Sequence, residues 1–162
     1  DGEFVLYESI AILSYLDRKF PEPPLFGQSA EETGLVWRAF SEFVCYLQPA
    51  LQNQIVRPIY GGKVADRRQS IEESMGRVHD ELKKYEATLG AQEWLAGARL
   101  SAADLFAFPH FMSLLRAATR PAAEGLKLGI LPLEKSYPRI AAWISKIQAL
   151  PGYDKTFPPH WR

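Results

Sequence analysis

Apolar residues at helical spacing are the main feature of this chain, and they are densest in residues 97–115. A helix that is apolar nearly all round is a buried one, so we predict a helix at the centre of the core here. Ser101 and Asp104 have the three-residue spacing of a capping box, with a leucine on either side as a hydrophobic staple. We assign both residues a structural capping role, and we expect Pro109 to kink the helix.

Three further amphipathic helices are predicted around this central one. The first starts at Ser29 and is expected to bend at Pro49, the second spans residues 66–90, and the third spans residues 138–150. Their apolar residues follow three-and-four spacing: Leu35, Ala39, Phe40, Phe43, Val44, Leu47 and Leu51 in the first, Ile71, Met75, Val78, Leu82, Tyr85 and Leu89 in the second, Ile140, Trp143, Ile144, Ile147 and Leu150 in the third. The pattern predicts a helical bundle.

The chain opens differently, with a short strand-like run at residues 4–7 that leads directly into a helix starting at Glu8 and Ser9 and ending at Phe20. Residues 21–27 contain three prolines and are typical of a linker. A lone strand leaves its backbone groups unpaired, so we expect the complete protein to be longer and to supply the neighbouring strands.

Composition excludes several classes of function. The chain has 19 Lys and Arg against 19 Asp and Glu, a balance that does not favour nucleic acid as a partner. There is no apolar run of membrane-spanning length and no secretory leader, so we expect no membrane association and a cytoplasmic location. Cys45 is the only cysteine, which excludes an internal disulfide, and its helical position favours a buried apolar role. The three histidines lie far apart, so no metal site is expected.

Two stretches carry a family resemblance. The sequence L-Y-E-S-I-A-I-L-S-Y-L, followed by the proline-rich segment, and the sequence L-A-G-A-R-L-S-A-A-D-L-F together resemble the cytosolic glutathione transferase family, as does P-R-I-A-A-W-I-S-K-I. The resemblance implies a mainly α fold: the family's C-terminal helical bundle, preceded by a β-strand and α-helix from the end of a thioredoxin-like domain. Residues 1–20 would belong to that glutathione-binding domain, 21–28 to a linker, and 29–162 to the all-helical domain.

The resemblance also implies an enzyme that conjugates glutathione, as co-substrate, to small electrophiles, with no metal and as a homodimer. The family's catalytic Tyr, Ser or Cys and its cis-proline loop lie at the start of the thioredoxin-like domain, so both are expected upstream of Asp1. We therefore assign no catalytic residue, and we expect this 162-residue chain to be inactive by itself. A non-catalytic binding or scaffold module is the alternative, and glutathione-dependent isomerisation or dehalogenation would share the same fold.

Glu8 and Ser9 are the candidate glutathione-binding residues. A helix start presents free N–H groups to an anion, so Ser9 suits a carboxylate and Glu8 suits an ammonium, the two charges of an amino-acid head group. The resemblance implies the γ-glutamyl end of glutathione. From the dipeptide alone, simple capping of the helix is the competing interpretation.

The candidate second-substrate pocket lies between the first bundle helix and the tail. Four aromatic residues are nominated for its lining by position: Phe43, Tyr46, Phe157 and Trp161. Aromatic residues at helical spacing are more often part of a core, so core packing is the alternative for each of them.

Overall fold

The computed structural model describes residues 1–157, and within that range the chain is built from helices and connecting loops. Seven α-helices occur in the described residues: α1 Ser9–Lys19, α2 Ala30–Glu42, α3 Arg57–Tyr60, α4 Val64–Ala91, α5 Ala102–Ala118, α6 Leu133–Ser136 and α7 Pro138–Gln148. Two π-helical stretches, Phe43–Leu47 and Pro49–Val56, join α2 to α3, and short 3₁₀ turns lie at Pro121–Ala123 and Tyr153–Thr156. The predicted mainly α fold is confirmed.

The first bundle helix continues through Pro49, where the sequence predicts a bend. Pro49 has no N–H and cannot close the usual bond to the carbonyl four residues earlier. The backbone on both sides closes wider turns instead, from the Gln48 N–H to the Phe43 carbonyl and from the Arg57 N–H to the Gln52 carbonyl. One continuous helical segment therefore runs from Ala30 to Tyr60, with π-helical turns in its second half.

The wide turns set which face of this segment is buried. Every fourth side chain points into the core and is almost fully buried: Phe43, Leu47, Leu51, Ile55 and Ile59. Cys45 lies two positions after Phe43, on the other side, and is exposed. The expectation that Cys45 is a buried apolar residue is therefore wrong.

Helix α5 lies at the centre of the core, as its apolar sequence predicts. It packs against α1, α2 and the Pro49–Val56 segment, while α4 packs against the same segment and against α7. A continuous cluster of buried side chains, from Phe26 to Ile147, joins these elements except α1, which has no buried residue. Trp143 of α7 is among the largest fully buried residues.

The proline-rich segment is anchored to the core. The Leu25 N–H donates to the Asp17 carboxylate at 2.6 Å, and the Leu25 carbonyl accepts from the Ala102 N–H at 2.8 Å. Phe26 is buried and stacks on Phe40, with their ring centroids 5.9 Å apart. These contacts connect the end of α1 to the start of α5.

Residues 4–7 do not form the predicted strand. Phe4, Val5 and Tyr7 are exposed, and the backbone of Phe4 is hydrogen-bonded to Asp1 in a turn rather than to a second strand. A strand exists only where a second strand accepts and donates its hydrogen bonds, and the described residues supply none. The helix that follows is present as predicted.

Within residues 1–157, no helix has the length and apolar character needed to cross a membrane.

Candidate functional site

Glu8 and Ser9 form an exposed start to α1. Glu8 has φ +73° and ψ 117°, a left-handed backbone conformation that a residue with a side chain adopts only at a cost of about 1–3 kcal/mol. The first helical hydrogen bond runs from the Ile12 N–H to the Glu8 carbonyl, at 2.9 Å. The N–H groups of Ser9, Ile10 and Ala11 precede that bond, so they have no acceptor within the helix.

The Glu8 side chain makes no capping hydrogen bond to this helix. The structure therefore does not have the simple cap that the sequence allows as the competing interpretation. The free N–H groups and the positive end of the helix dipole are left facing the exposed surface beside a carboxylate. The arrangement suits a ligand that carries an anionic group and an ammonium close together.

Asp104 is fully buried and accepts four hydrogen bonds. Its Oδ1 accepts from the Leu95 N–H at 2.8 Å and from the Trp143 indole N–H at 2.9 Å. Its Oδ2 accepts from the Ser101 N–H at 3.0 Å and from the Ser101 hydroxyl at 2.7 Å. All of these partners are structural, and the carboxylate is closed off from any substrate.

The three nominated aromatic residues that the structure describes, Phe43, Tyr46 and Phe157, do not come together. Phe43 is only 2% exposed, and its ring packs on those of Phe106 and His110 in the core, so it does not line an open pocket. Tyr46 is 61% exposed and borders a surface groove between α2 and α4. Phe157 lines a different cavity, and Trp161 lies outside the described residues.

The cavity beside Phe157 has a volume of about 450 Å³ and lies between α5, α7 and the turn that follows α7. Its lining is largely apolar and includes Leu105, Phe108, Met112, Ile147, Tyr153 and Phe157. Tyr153 packs edge-on against both Phe108 and Phe157. The size and the lining suit a small apolar molecule.

A second pocket, of about 460 Å³, lies on the other side of Pro109 and Ser113, which border both cavities. We call it the polar pocket. It is lined by residues of the π-helical segment, of α3 and of α5: Gln48, Pro49, Gln52, Asn53, Arg57, Pro109, His110 and Ser113. This pocket was not predicted from the sequence; the one local signal for it is that His110 lies inside the most apolar helix.

Two glutamine side chains hold His110 in the lining of this pocket. The Gln52 amide nitrogen lies 2.8 Å from its Nδ1, and the Gln48 amide nitrogen lies 3.4 Å from its Nε2. The rings of Phe43 and Phe106 pack against the imidazole. Burial lowers the pKa of His110 below its ordinary value, so the imidazole is neutral near pH 7.

No group of three or more His, Cys, Asp or Glu side chains in residues 1–157 is arranged to hold a metal ion.

Residues 42–151 match the family model described as the glutathione S-transferase C-terminal domain. The chain belongs to the glutathione S-transferase family. Among curated relatives, glutathione S-transferase 1 of Zea mays is 30% identical over 159 residues, which is 96% of this chain and 68% of that protein. The probable glutathione S-transferase GSTF2 of Oryza sativa subsp. japonica is 29% identical over 159 residues, which is also 96% of this chain and 68% of that protein.

Solved glutathione S-transferase structures have the same fold. Glutathione S-transferase I bound to lactoylglutathione superposes with a TM-score of 0.73 at 26% identity, covering 96% of this chain and 70% of that one. Glutathione S-transferase I from maize in complex with an atrazine glutathione conjugate superposes with a TM-score of 0.76 at 28% identity, covering 96% of this chain and 68% of that one. Because the superposed range is nearly the whole of this chain, it extends beyond the residues matched by the family model.

Proposed function

We propose that this glutathione S-transferase conjugates glutathione to small electrophiles and holds the γ-glutamyl end of glutathione at Glu8 and Ser9. The observation that carries the proposal is the exposed start of α1, with free N–H groups beside an unpaired carboxylate, in a chain of this family. The two solved relatives with lactoylglutathione and with an atrazine glutathione conjugate support glutathione as the co-substrate.

The two residues have complementary tasks in this proposal. The α-carboxylate of the γ-glutamyl group accepts hydrogen bonds from the Ser9 N–H and hydroxyl, and the helix dipole favours its negative charge. The Glu8 carboxylate accepts from the α-ammonium group. The backbone strain at Glu8 is then part of the site, since the left-handed residue turns the chain just ahead of the first free N–H.

The reaction is a displacement by the glutathione sulfur. The thiolate is the nucleophile: it forms the carbon–sulfur bond as the leaving group departs with its electron pair, and the thiol proton passes to solvent. We assign the thiolate-stabilising role to none of the described residues. The apolar cavity beside Phe157 is our candidate for the apolar part of the electrophile.

Glutathione binding and conjugation test the proposal separately. Ser9→Ala and Glu8→Gln are each expected to weaken glutathione binding roughly tenfold, since each removes a hydrogen bond to a charged group. Glu3→Gln is the matched control, because Glu3 is exposed near the same end of the chain and lies outside the helix start. Calorimetry measures binding, and absorbance of the conjugate of an aryl halide measures turnover.

The assays are made on the 162-residue chain and on the longest product of its gene. The proposal is supported if the longer product conjugates glutathione and if its Ser9 and Glu8 variants lose both glutathione binding and conjugation. Glutathione binding that neither variant weakens would remove Glu8 and Ser9 from the site. Tight glutathione binding without turnover, together with a co-purifying protein partner, would favour a binding module over an enzyme.

We further propose that the protein is a homodimer in the cytoplasm, as members of the cytosolic family are. The single cysteine is consistent with a reducing compartment. Sedimentation velocity at micromolar concentration tests the dimer, and a monomer at that concentration contradicts it.

A further inference from the structure

The polar pocket shares Pro109 and Ser113 with the apolar cavity beside it, and the rest of its lining is mainly polar. The amides of Gln48, Gln52 and Asn53 and the guanidinium of Arg57 can all donate hydrogen bonds there, whereas the Ser113 hydroxyl donates to the Pro109 carbonyl at 2.8 Å. None of its lining residues is an Asp or a Glu. A pocket with several donors, a cation and no carboxylate favours an anionic group.

Arg57 supplies the only positive charge among the lining residues when His110 is neutral. Its guanidinium is exposed and makes no ion pair or side-chain hydrogen bond with any other described residue. By contrast, Arg67 donates to Gln54, Arg68 donates to the Gly125 carbonyl, and Arg99 donates to Glu32. Arg57 is therefore available for a ligand.

The backbone holds these groups in place. Gln48 and Gln52 are four residues apart in the segment with π-helical turns, and turns of this kind are frequent at functional sites. Both amides are positioned by His110, which is in turn fixed by the rings of Phe43 and Phe106. Of the donors that line the pocket, these two amides are thus ordered before a ligand arrives, which reduces the entropy lost on binding.

We propose that the polar pocket binds a carboxylate group on the second substrate, with Arg57 as its charged partner and the Gln52 and Asn53 amides as further donors. This inference rests on the proposed conjugation of glutathione and specifies the class of electrophile. The guanidinium is planar and matches the two oxygens of a carboxylate. A single unpaired cation balances a single negative charge. The adjoining apolar cavity, across Pro109 and Ser113, accommodates the rest of an aromatic or aliphatic acid.

A pair of electrophiles with the same reactive ring tests the inference. One is a chlorodinitrobenzoate and the other is its uncharged carboxamide. Arg57→Gln is expected to raise the KM for the benzoate about tenfold, since a hydrogen-bonded charge is lost, and to change the KM for the carboxamide less than twofold. Arg57→Lys keeps the charge without the planar fork and gives an intermediate KM.

Arg38→Gln is the matched control. Arg38 lies in the same helical segment, is exposed, pairs with Glu42 at 3.7 Å and lies outside the polar pocket. Its replacement is expected to leave both KM values unchanged. An equal rise in the two KM values for Arg57→Gln, or no rise in either, would overturn the inference.

Binding without turnover separates this inference from the proposed function. Benzoate alone is titrated into the full-length protein while the His110 imidazole signals are followed by NMR. A saturable shift that Arg57→Gln weakens about tenfold, and that Arg38→Gln leaves intact, supports the carboxylate site even if no glutathione is conjugated. Absence of a saturable shift in the wild-type protein rejects the site, whatever the conjugation assay gives.

Discussion

The Asp104 carboxylate joins three parts of the chain. It accepts hydrogen bonds from the loop before α5, from the first residue ahead of α5 and from the indole of α7, and it has no exposed surface. A buried carboxylate of this kind is stable when both of its oxygens accept hydrogen bonds. Its removal would leave N–H donors buried without acceptors, and each such donor costs more free energy than an ordinary hydrogen bond contributes.

Asp104→Ala is expected to lower the free energy of unfolding by roughly 3 kcal/mol or more, since it leaves the Leu95 N–H and the Trp143 indole N–H buried without acceptors. Urea unfolding measures the loss. Asp104→Asn keeps the shape with one acceptor fewer and should fall between the wild type and the alanine variant. Asp80→Ala is the control, because Asp80 is exposed and pairs with the equally exposed Lys83, and it should change stability by less than about 0.5 kcal/mol. A loss as small for Asp104→Ala as for Asp80→Ala would refute the structural role.

His110 makes stability depend on pH. Burial lowers the pKa of His110 in the folded protein below the ordinary value of 6.5, so the unfolded chain binds the proton first as pH falls. The neutral imidazole therefore makes its full contribution to the free energy of unfolding above pH 6.5. That contribution is lost as the pH falls through the lowered pKa of His110 in the folded protein. Protonation also places a donor on Nδ1 opposite the Gln52 amide nitrogen.

We expect the wild-type protein to lose more stability than His110→Gln between pH 7.5 and pH 5, because glutamine does not titrate there. Urea unfolding at a series of pH values measures the two curves. Parallel curves for wild type and variant would show that His110 contributes nothing to the pH dependence.

At the scale of single elements, α1 and α7 have the same length and different environments. Both contain 11 residues, and α1 has no buried residue while α7 buries Ile140, Ala141, Trp143, Ile144 and Ile147. Most of the stability of a short helix in a protein comes from the packing of its apolar face. Helix α1 is therefore the weaker element of the two, and Glu8 and Ser9 lie at its start.

Amides of α1 in the 162-residue chain are expected to exchange with deuterium more readily than those of α7, with protection lower by roughly 100-fold, because local opening exposes few apolar contacts. Hydrogen exchange with mass spectrometry compares the two helices in one experiment. The first four amides of each helix are excluded, since they lack helical acceptors in both. Equal protection in the two helices would contradict the difference in packing.

At the scale of the whole molecule, the described helices from α2 to α7 share one core. The buried cluster runs without interruption from Phe26 to Ile147, and Trp94 and Trp143 lie within it. Elements that depend on the same buried contacts lose them together. The bundle therefore has no internal boundary at which one half could unfold alone.

We expect the loss of helix, measured by far-UV circular dichroism, and the exposure of tryptophan, measured by fluorescence, to have the same urea midpoint. The bundle helices supply most of the circular dichroism signal. Fraying of α1 therefore changes the slope of the signal before the transition and leaves the urea midpoint unchanged. Separate midpoints for the two signals would show that the core divides into independent parts.

Local signals in the sequence determined most of the fold. The start of α5 at Ser101, the start of α2 at Ser29 and the start of α7 at Pro138 follow from capping chemistry and proline geometry, which act within a few residues. The order of the helices and the two characteristic stretches also sufficed to indicate the family. The sequence likewise places Glu8 and Ser9 at a helix start, since that depends only on neighbouring residues.

Tertiary structure alone decided which side chains are buried and which pockets exist. Phe43, Leu47 and Leu51 are buried as the apolar pattern predicts, and the wide turns at Pro49 continue this every-fourth spacing in the core to Ile55 and Ile59. Phe43 is in the core, which is the alternative to its nomination as a pocket residue, and Cys45 is on the surface, contrary to its expected burial. The polar pocket joins residues 58 and 62 positions apart, Gln52 and Gln48 with His110, and such a meeting depends on how two helices pack rather than on either sequence. Local chemistry fixes where helices begin, whereas the packing of their faces fixes what lies between them.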